Sequence, residues 1–245
     1  MRGNPERLWE AGPLFYQAEN IRLTTDAVLL ADFARVEGKI RGTDLGCASG
    51  ALMLLLLWRV PELSMTGLEL SLDAAVLAEE NMRINGLKER SDIICGDFRK
   101  TVKTMEAGSY DLVISNPPYY EPARGDTSPN SGRATARAEL ACSLGDICAA
   151  ASRLCRSGGK VFFSYRPDGM NRLLLEMTQV RLEPKRLRFV HHRLEKNAGL
   201  VLVEGRKDGN PGLTVEVPLV LSTAEGQETD EYRRIYHREK TGYET

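Results

Sequence analysis

The chain has 245 residues, 42% of them hydrophobic, and a formal net charge of −1, so it suits one α/β domain with an ample core. The balanced charge excludes a strongly basic or acidic protein, although a local basic face remains compatible with it. The longest apolar run, residues 51–58, is too short for a membrane span, and no signal-peptide apolar segment is present at the start. Five cysteines without a CxxC pair and three histidines without ligand spacing predict a cytoplasmic location, reduced thiols and no metal site.

In chain order, short apolar runs typical of strands alternate with segments of helical periodicity. Ser71 is the predicted N-cap of one helix, and Gly86 follows the end of that helix. The predicted strands are 39–45, 64–70, 91–95, 110–115, 160–165, 186–192 and 200–204. The predicted helices are 51–58, 72–85, 99–105, 138–155 and 168–178.

This order predicts a Rossmann-like α/β fold, with helices on both faces of a mostly parallel seven-stranded sheet. The last two strands have no helix between them, which predicts one antiparallel strand. We divide the chain into an N-terminal lead-in (1–38), a central domain (39–222) and a tail of the same domain (223–245). Ligands of such sheets bind beyond the carboxyl ends of the strands, so the residues that follow each strand are the candidates for chemistry.

The first strand ends in the sequence DLGCASG, residues 44–50. Gly46 and Gly50 would let the backbone turn tightly and come close to a ligand. The carboxylate of Asp44 could bind an ammonium group directly or a polar group through water. An ordinary strand-to-helix turn is the alternative interpretation.

Acidic residues also lie at the end of the second strand and just after the third. Glu69 could accept hydrogen bonds from both hydroxyls of a ribose. Asp97 could accept from an adenine amino group, and Phe98 could lie on the adenine ring. These features indicate a nucleoside ligand without choosing between NAD and S-adenosylmethionine, although the GxGxxG pattern typical of NAD sites is missing.

The fourth strand ends in Asn-Pro-Pro-Tyr-Tyr, residues 116–120. The side-chain oxygen of Asn116 and the carbonyl of Pro117 could each accept one hydrogen of an exocyclic amine, turning its lone pair toward an electrophile. Two consecutive prolines restrict the backbone that carries this carbonyl. Tyr119 offers a ring on which a planar base can stack. We therefore predict that Asn116, Pro117 and Tyr119 are catalytic.

Asp44-x-Gly46, Glu69, Asp97 and the Asn-Pro-Pro-Tyr motif together resemble the class I S-adenosylmethionine-dependent methyltransferases that modify planar nitrogens. The resemblance implies S-adenosylmethionine as the cofactor. The cofactor-binding residues it implies are Asp44, Gly46, Gly50, Glu69, Asp97, Phe98 and Asn116. Ala48 departs from the family pattern, which has glycine at the middle of the loop.

The flanking segments are similar to those of the bacterial tRNA adenine-N(6) methyltransferases, which act on the adenine 3′ of the anticodon of a valine tRNA. The similar segments are 16–34, 134–140, FVHHR (189–193), GLVLVEGRK (199–207) and EYRRIY (231–236). This resemblance implies that Thr25 and Asp26 lie over the methionine end of the cofactor. An N-cap and a first-turn acid are the alternative interpretations of these two residues.

The resemblance implies tRNA as the partner, bound by a monomer or weak homodimer without membrane or metal. The basic segment 181–196 could follow a phosphate backbone, although a solvated charged face is equally compatible. The predicted substrate-binding residues are Pro118, Tyr119, Tyr120, Arg137, Lys185, Arg186 and Arg188. The expected reaction is methyl transfer to N(6) of a tRNA adenine. Three alternatives stay open: a protein-glutamine N(5) methyltransferase acting on a release factor, a guanine-amine methyltransferase, and a non-catalytic RNA-binding protein of the same fold.

Overall fold

The computed structural model describes residues 4–18, 21–117 and 142–237. The described strands are β1 (Glu6–Arg7), β2 (Leu14–Phe15), β3 (Arg41–Leu45), β4 (Ser64–Glu69), β5 (Ser91–Cys95), β6 (Tyr110–Ser115), β7 (Cys155–Tyr165), β8 (Leu182–His191), β9 (Leu200–Lys207), β10 (Thr214–Val215) and β11 (Leu219–Val220). The described α-helices are α1 (Thr25–Phe33), α2 (Ala51–Arg59), α3 (Leu72–Ile84), α4 (Phe98–Thr104), α5 (Leu144–Leu154), α6 (Met170–Gln179) and α7 (Asp230–Ile235).

One nine-stranded sheet organises the fold, in the order β10-β8-β9-β7-β6-β3-β4-β5, with β11 also paired to β8. Strand β9 is antiparallel to both β7 and β8, and the other pairs of this sheet are parallel. The prediction of a mostly parallel sheet with one antiparallel strand is confirmed. The prediction of seven strands holds for the long strands, and the additional β10 and β11 have two residues each.

The sheet is covered on both faces, which the alternation along β7 shows. Phe162 packs with α1 and α2 on one face, whereas Val161 and Phe163 pack with α5 and α6 on the other. All three side chains are fully buried. The apolar runs of the central strands are therefore continuous in sequence, as in a sheet buried on both faces.

Local sequence signals explain where several elements begin. Ser71 caps α3 by accepting a hydrogen bond from the Ala74 amide, as predicted. Ser143 and Asp146 form a capping box at the start of α5, which begins later than the predicted residue 138. Residues 138–141 lie outside the described part of the chain. No helix among the described residues is long and apolar enough to cross a membrane.

Candidate active site

The candidate site lies at the topological switch point of the sheet, between β3 and β6, where the strand order changes direction. From β3 the chain continues outward to β4 and β5, whereas β6 and β7 continue on the other side of β3. Residues following β3 and β6 therefore meet at one edge of the sheet, the position where open α/β sheets bind ligands. The Ser115 hydroxyl at the end of β6 donates to the Leu45 carbonyl at the end of β3, at 2.6 Å, and holds the two strand ends together.

The loop between β3 and α2 has the tight backbone that its glycines predict. Gly46 and Gly50 have φ angles of 80° and 77°, and the amides of Gly46 and Cys47 both donate to the Leu68 carbonyl of β4. A Cβ atom at Gly46 would meet nothing within 4 Å, so this side of the loop is open to a ligand. A Cβ at Gly50 would approach Met82 and Ala78 at 3.0 and 3.2 Å, so Gly50 lets the loop pack closely on α3.

Ala48 adopts a left-handed conformation, with φ at 48°. This region favours glycine, and an L-residue there costs roughly 1–2 kcal/mol. The Ala48 amide donates to the Glu69 carboxylate at 2.8 Å. The alanine that departs from the family pattern therefore lies in a strained position, and its amide is bonded to a predicted cofactor-binding residue.

Asp44 is a buried carboxyl group without a described hydrogen-bond partner. Its side chain is fully buried at the end of β3, and neither carboxyl oxygen is hydrogen-bonded to any described residue. Desolvation by burial, assisted by the charge of Glu69, raises the pKa of Asp44 to about 8. An unsatisfied buried carboxyl is costly, so the position fits a ligand that brings a cation or hydrogen-bond donors.

Glu69 connects the glycine loop, residues 46–50 between β3 and α2, to the start of α3. One carboxylate oxygen accepts from the Ala48 amide and the other from the Ser71 amide, both at 2.8 Å. A carboxylate has about four acceptor positions, so these two bonds are compatible with further bonds from ribose hydroxyls. The side chain remains partly exposed at the end of β4, in agreement with a ligand-facing position.

Asp97 follows β5 and forms the N-cap of α4. Its carboxylate accepts from the Arg99 amide and from the Arg99 guanidinium, at 2.8–3.1 Å. The side-chain hydrogen bond from Arg99 lowers the pKa of Asp97. Phe98 begins α4 and packs partly against the core. An adenine amine at Asp97 would therefore either share the Asp97 carboxylate with the Arg99 guanidinium or displace that guanidinium from it.

Asn116 follows β6, and the neighbouring elements hold its carboxamide. The buried Ser164 hydroxyl of β7 donates to Asn116 Oδ1 at 2.5 Å. Asn116 Nδ2 lies 3.5 Å from the hydroxyl of Thr24, the N-cap residue of α1. Pro117 is buried beside it. Because a carboxamide oxygen can accept two hydrogen bonds, the bond from Ser164 is compatible with a second one from an amine.

The sequence interpretation missed both Ser164 and Thr24. Ser164 is the polar residue in the otherwise apolar run VFFSY, which is a signal that could have indicated a site contact. Thr24, rather than Thr25, is the N-cap, and its hydroxyl accepts from the Ala27 amide. Thr25 is the first residue of α1 and is exposed, and Asp26 lies in its first turn. Both begin the helix whose N-cap lies beside Asn116, and their predicted contact with the cofactor stays a prediction.

Four predicted substrate residues, Pro118, Tyr119, Tyr120 and Arg137, lie outside the described residues.

The structure corrects the role predicted for Arg186. Its side chain is only 10% exposed and is paired with Glu204 and Glu216, and its guanidinium also donates to the Phe33 carbonyl at 2.7 Å. The guanidinium carbon lies 3.8 Å from the centre of the Phe33 ring. Arg186 is therefore an internal link between β8, β9 and α1, and its burial keeps it from a phosphate.

Arg188 and Lys185 are also engaged within the protein. Arg188 makes two hydrogen bonds of 2.8 Å to Glu231 and a third to the Val217 carbonyl, and its predicted contact with RNA stays a prediction. Lys185 donates to the Asn210 carbonyl at 3.0 Å and lies near the start of β8. Because β9 is antiparallel to β7 and to β8, the start of β8 lies at the sheet edge opposite to Asn116.

Comparisons with known proteins agree with this geometry. Residues 24–176 match the family model described as the methyltransferase small domain. A relative from Tolumonas auensis is 33% identical over 142 residues, which cover 58% of this chain and 57% of that protein. Relatives from Shewanella halifaxensis and Aeromonas hydrophila are each 29% identical, and the alignments cover 90% and 88% of this chain and 86% and 88% of those proteins. All three are named tRNA1(Val) (adenine(37)-N6)-methyltransferase.

Solved structures show the same fold. A protein from Agrobacterium tumefaciens, described as a predicted O-methyltransferase, has a TM-score of 0.71 at 21% identity, with 87% of this chain and 96% of that chain covered. Geranyl diphosphate C-methyltransferase from Streptomyces coelicolor has a TM-score of 0.54 at 15% identity, with 74% of this chain and 79% of that chain covered. The family match spans the glycine loop, Glu69, Asp97 and the Asn-Pro segment after β6, and the chain accordingly belongs to the methyltransferase small domain family.

Proposed function

We propose that this protein transfers a methyl group from S-adenosylmethionine to the exocyclic N(6) amine of an adenine in tRNA. The observation that carries the proposal is the position of Asn116. It follows β6 next to the glycine loop that follows β3, and Ser164 donates a hydrogen bond to its carboxamide oxygen. Three relatives that carry the name of this activity support the substrate, two of them aligned over most of both chains. Their names also favour the adenine at position 37 of a valine tRNA.

The described residues fit the proposed cofactor. Bound S-adenosylmethionine supplies a methyl group on a sulfonium, which an amine nitrogen can attack. Gly46 leaves the loop open, and the buried Asp44 carboxyl offers acceptors to a cationic or hydroxyl-bearing ligand. Glu69 would accept from the ribose, and Asp97 with Phe98 would bind the adenine ring.

The residues after β6 provide the chemistry on the acceptor side. Asn116 Oδ1 and the Pro117 carbonyl would each accept one hydrogen of the target amine and turn its lone pair toward the methyl group. In this arrangement Asn116 and Pro117 would hold the nitrogen in line with the methyl group that the cofactor supplies, and the methylated nitrogen would release its extra proton to water. Positioning supplies most of the rate increase, because the two acceptors fix the orientation of the nucleophile.

The tRNA contact that we infer differs from the predicted one. The hairpin loop at residues 192–199, between β8 and β9, lies at the same sheet edge as Asn116, because β8 runs in the same direction as β7. It carries Arg193 and Lys196, and Lys196 is exposed. We therefore assign the RNA-facing part of the basic segment to this loop. A cytoplasmic location and a monomer or weak homodimer stay predictions.

The decisive experiment combines methyl-labelled S-adenosylmethionine with the purified protein and unmodified tRNA transcripts, followed by nucleoside digestion. We expect label in N(6)-methyladenosine, and we expect Asn116→Ala to abolish it while cofactor affinity measured by calorimetry stays within about threefold, since no charge or loop contact is removed. A release factor serves as a second acceptor, because a side-chain amide is also a planar nitrogen. Label in the release factor, in guanine or in no acceptor would reject the adenine substrate, and absence of cofactor binding by calorimetry would favour a non-catalytic protein.

A further inference from the structure

Asn81 of α3 and Asn85, the C-cap residue of the same helix, hold the N-terminal lead-in against the methyltransferase core. Asn81 accepts from the Tyr16 amide at 2.7 Å and donates to the Tyr16 carbonyl at 3.2 Å. Asn85 accepts from the Leu14 amide at 2.8 Å and donates to the Leu14 carbonyl at 2.7 Å. Each carboxamide thus bonds both the amide and the carbonyl of one lead-in residue, as the backbone of a neighbouring strand does in a sheet.

The spacing of the two elements explains this pairing. Residues 14 and 16 lie two apart in an extended segment, a separation of about 6.7 Å at 3.3–3.4 Å per residue. Residues 81 and 85 lie four apart on one helix face, a rise of about 6 Å. The two carboxamides therefore match successive backbone positions on one side of the lead-in.

Asn81 makes one more contact, which Asn85 lacks. Its Nδ2 donates at 2.9 Å to the carbonyl of Ser49, in the glycine loop, whereas the remaining bond of Asn85 goes to the Asn81 carbonyl of its own helix. Asn81 has no exposed surface, and all its side-chain hydrogen-bonding atoms have partners. One buried amide group is therefore bonded to both the lead-in and the loop.

The lead-in also reaches the other half of the site. From Tyr16 the chain continues to Thr24, whose hydroxyl caps α1 and lies 3.5 Å from Asn116 Nδ2. Close packing of Gly50 on α3 leaves the loop little freedom to shift relative to Asn81. A movement of the loop at Ser49 would therefore be transmitted through Asn81 to the lead-in.

We propose that Asn81 is a positioning residue that couples the glycine loop to the N-terminal lead-in, so that cofactor binding and ordering of the lead-in support each other. The inference rests on the proposed binding of S-adenosylmethionine at this loop. Coupling between two sites is reciprocal, so the cofactor stabilises the lead-in by the same factor by which the lead-in raises cofactor affinity.

The test compares Asn81→Ala with Asn85→Ala, because both remove one bidentate pair from the lead-in and only the first removes the bond to Ser49. Calorimetry with S-adenosylmethionine measures the Kd of the wild type and of both variants. We expect about a tenfold weaker Kd for Asn81→Ala, an effect within the usual range of coupling, and a smaller loss of about two- to threefold for Asn85→Ala, which loosens the lead-in but keeps the bond to Ser49. At saturating cofactor, kcat of Asn81→Ala should stay within about threefold, which separates positioning from loss of the catalytic group.

Amide hydrogen exchange of the wild type gives a second readout that needs no variant to fold. Saturating S-adenosylmethionine should slow exchange of the Tyr16 amide by about tenfold. Equal losses of affinity in the two variants, no loss in either, or exchange at Tyr16 that ignores the cofactor would overturn the coupling. A wild type that does not bind S-adenosylmethionine would instead overturn the proposed function, and the coupling with it.

Discussion

Ser164 determines which way the Asn116 carboxamide faces. Its hydroxyl donates to Oδ1, and this fixes the oxygen rather than the nitrogen as the atom held toward β7. An amide that turned over would present N–H groups, which cannot accept a hydrogen from an amine. The orientation of the proposed catalytic group is therefore supported by the Ser164 hydroxyl at Oδ1 and by the Thr24 hydroxyl near Nδ2.

We expect Ser164→Ala to lower kcat by about fivefold, because one hydrogen bond of about 1 kcal/mol no longer orients the carboxamide. The Kd for S-adenosylmethionine should be unchanged. Ser152→Ala is the control: Ser152 also donates one hydrogen bond, in this case to the backbone carbonyl of Val180 at 2.6 Å, and accepts one from Lys207, in a part of the protein away from Asn116. Steady-state kinetics at saturating cofactor check the prediction, and equal kcat values for the two variants would show that Ser164 does not orient Asn116.

Asp44 makes the ligand-free protein less stable at high pH. Burial raises the pKa of this carboxyl to about 8, from an ordinary value of 3.8. Between these values the folded state holds a proton that the unfolded chain has lost. The free energy of unfolding therefore falls as the pH rises through this window, by at most about 1.4 kcal/mol per pH unit.

Asp44→Asn should remove this pH dependence, since an amide does not titrate. We expect the variant to be more stable than the wild type at pH 8, and to lose affinity for S-adenosylmethionine because the carboxylate is gone. Urea unfolding between pH 5 and pH 8 measures the slope, with the exposed Asp92→Asn as the control. The same slope in Asp44→Asn and in the wild type would assign the pH dependence to another group.

At the level of single residues, the site could be predicted where each residue follows a strand. Asp44, Glu69 and Asn116 each come directly at or after an apolar run, and parallel strands bring such positions to one edge. Ser164 and Asn81 could not be found in this way, because their roles depend on which strand or segment lies beside them. The burial of Arg186 also escaped prediction, since its partners are distant in sequence.

At the level of elements, β5 and β6 were predicted with the observed bounds because short apolar runs end at clear turn signals. Strand β7 begins at Cys155, five residues before the predicted start, because Cys155 already pairs with Tyr110 of β6. An irregularity that includes Gly158, with φ at 74°, separates this pair from the regular pairing that starts with Lys160 opposite Leu112. The two-residue strands β10 and β11 carry no periodic pattern and exist only through pairing with β8. Non-local pairing of this kind overrides local propensity.

Arg186 links three of these elements, and its removal should be costly. Its guanidinium is shared between Glu204 of β9, Glu216 and the Phe33 carbonyl of α1. We expect Arg186→Leu to lower the free energy of unfolding by about 3 kcal/mol, because the largely buried Glu204 would lose its ion-pair partner, whereas Glu216 would keep its bond to Arg35. Arg181→Leu, at a residue 75% exposed, should cost less than about 1 kcal/mol.

Urea unfolding of the two variants measures this difference. Arg186→Lys, which keeps the charge but not the fork geometry, should lie between them. The affinity of folded Arg186→Lys for tRNA should equal that of the wild type, because the side chain is internal. A loss of tRNA affinity without loss of stability would restore the RNA-binding role that the buried position argues against.

At the level of the whole molecule, net charge hides how the basic residues are distributed. The chain has 33 Lys and Arg residues against 34 Asp and Glu residues, so attraction of tRNA depends on where the unbalanced cations lie. Apart from Arg186 and Arg188 within β8, the cations of the basic segment 181–196 lie at two opposite ends of the strands of the sheet. Arg193 and Lys196 lie in the β8–β9 hairpin loop at the edge of Asn116, whereas Arg181 and Lys185 lie by the start of β8.

This division gives a test in which charge is matched and only position differs. The double variants Arg193→Ala/Lys196→Ala and Arg181→Ala/Lys185→Ala each remove two positive charges. We expect the first to weaken tRNA binding about tenfold or more at low salt and to reduce the slope of log K against log salt by about one per lost phosphate contact. The second should leave both quantities close to the wild type, because its residues face away from the site and are bonded to Asp208 and the Asn210 carbonyl.

Filter binding or fluorescence titration of tRNA at several salt concentrations measures both quantities. If only net charge attracted the RNA, the two variants would lose affinity equally, since each lowers the net charge by two. If the RNA instead reached Asn116 from the side of α1, neither variant would change the slope. A loss of affinity confined to the hairpin-loop variant would mean that the cations of the β8–β9 loop lie where the base enters. The antiparallel β9 explains this position, because it places β8 parallel to β7 and so brings the loop to the end of the sheet that carries Asn116.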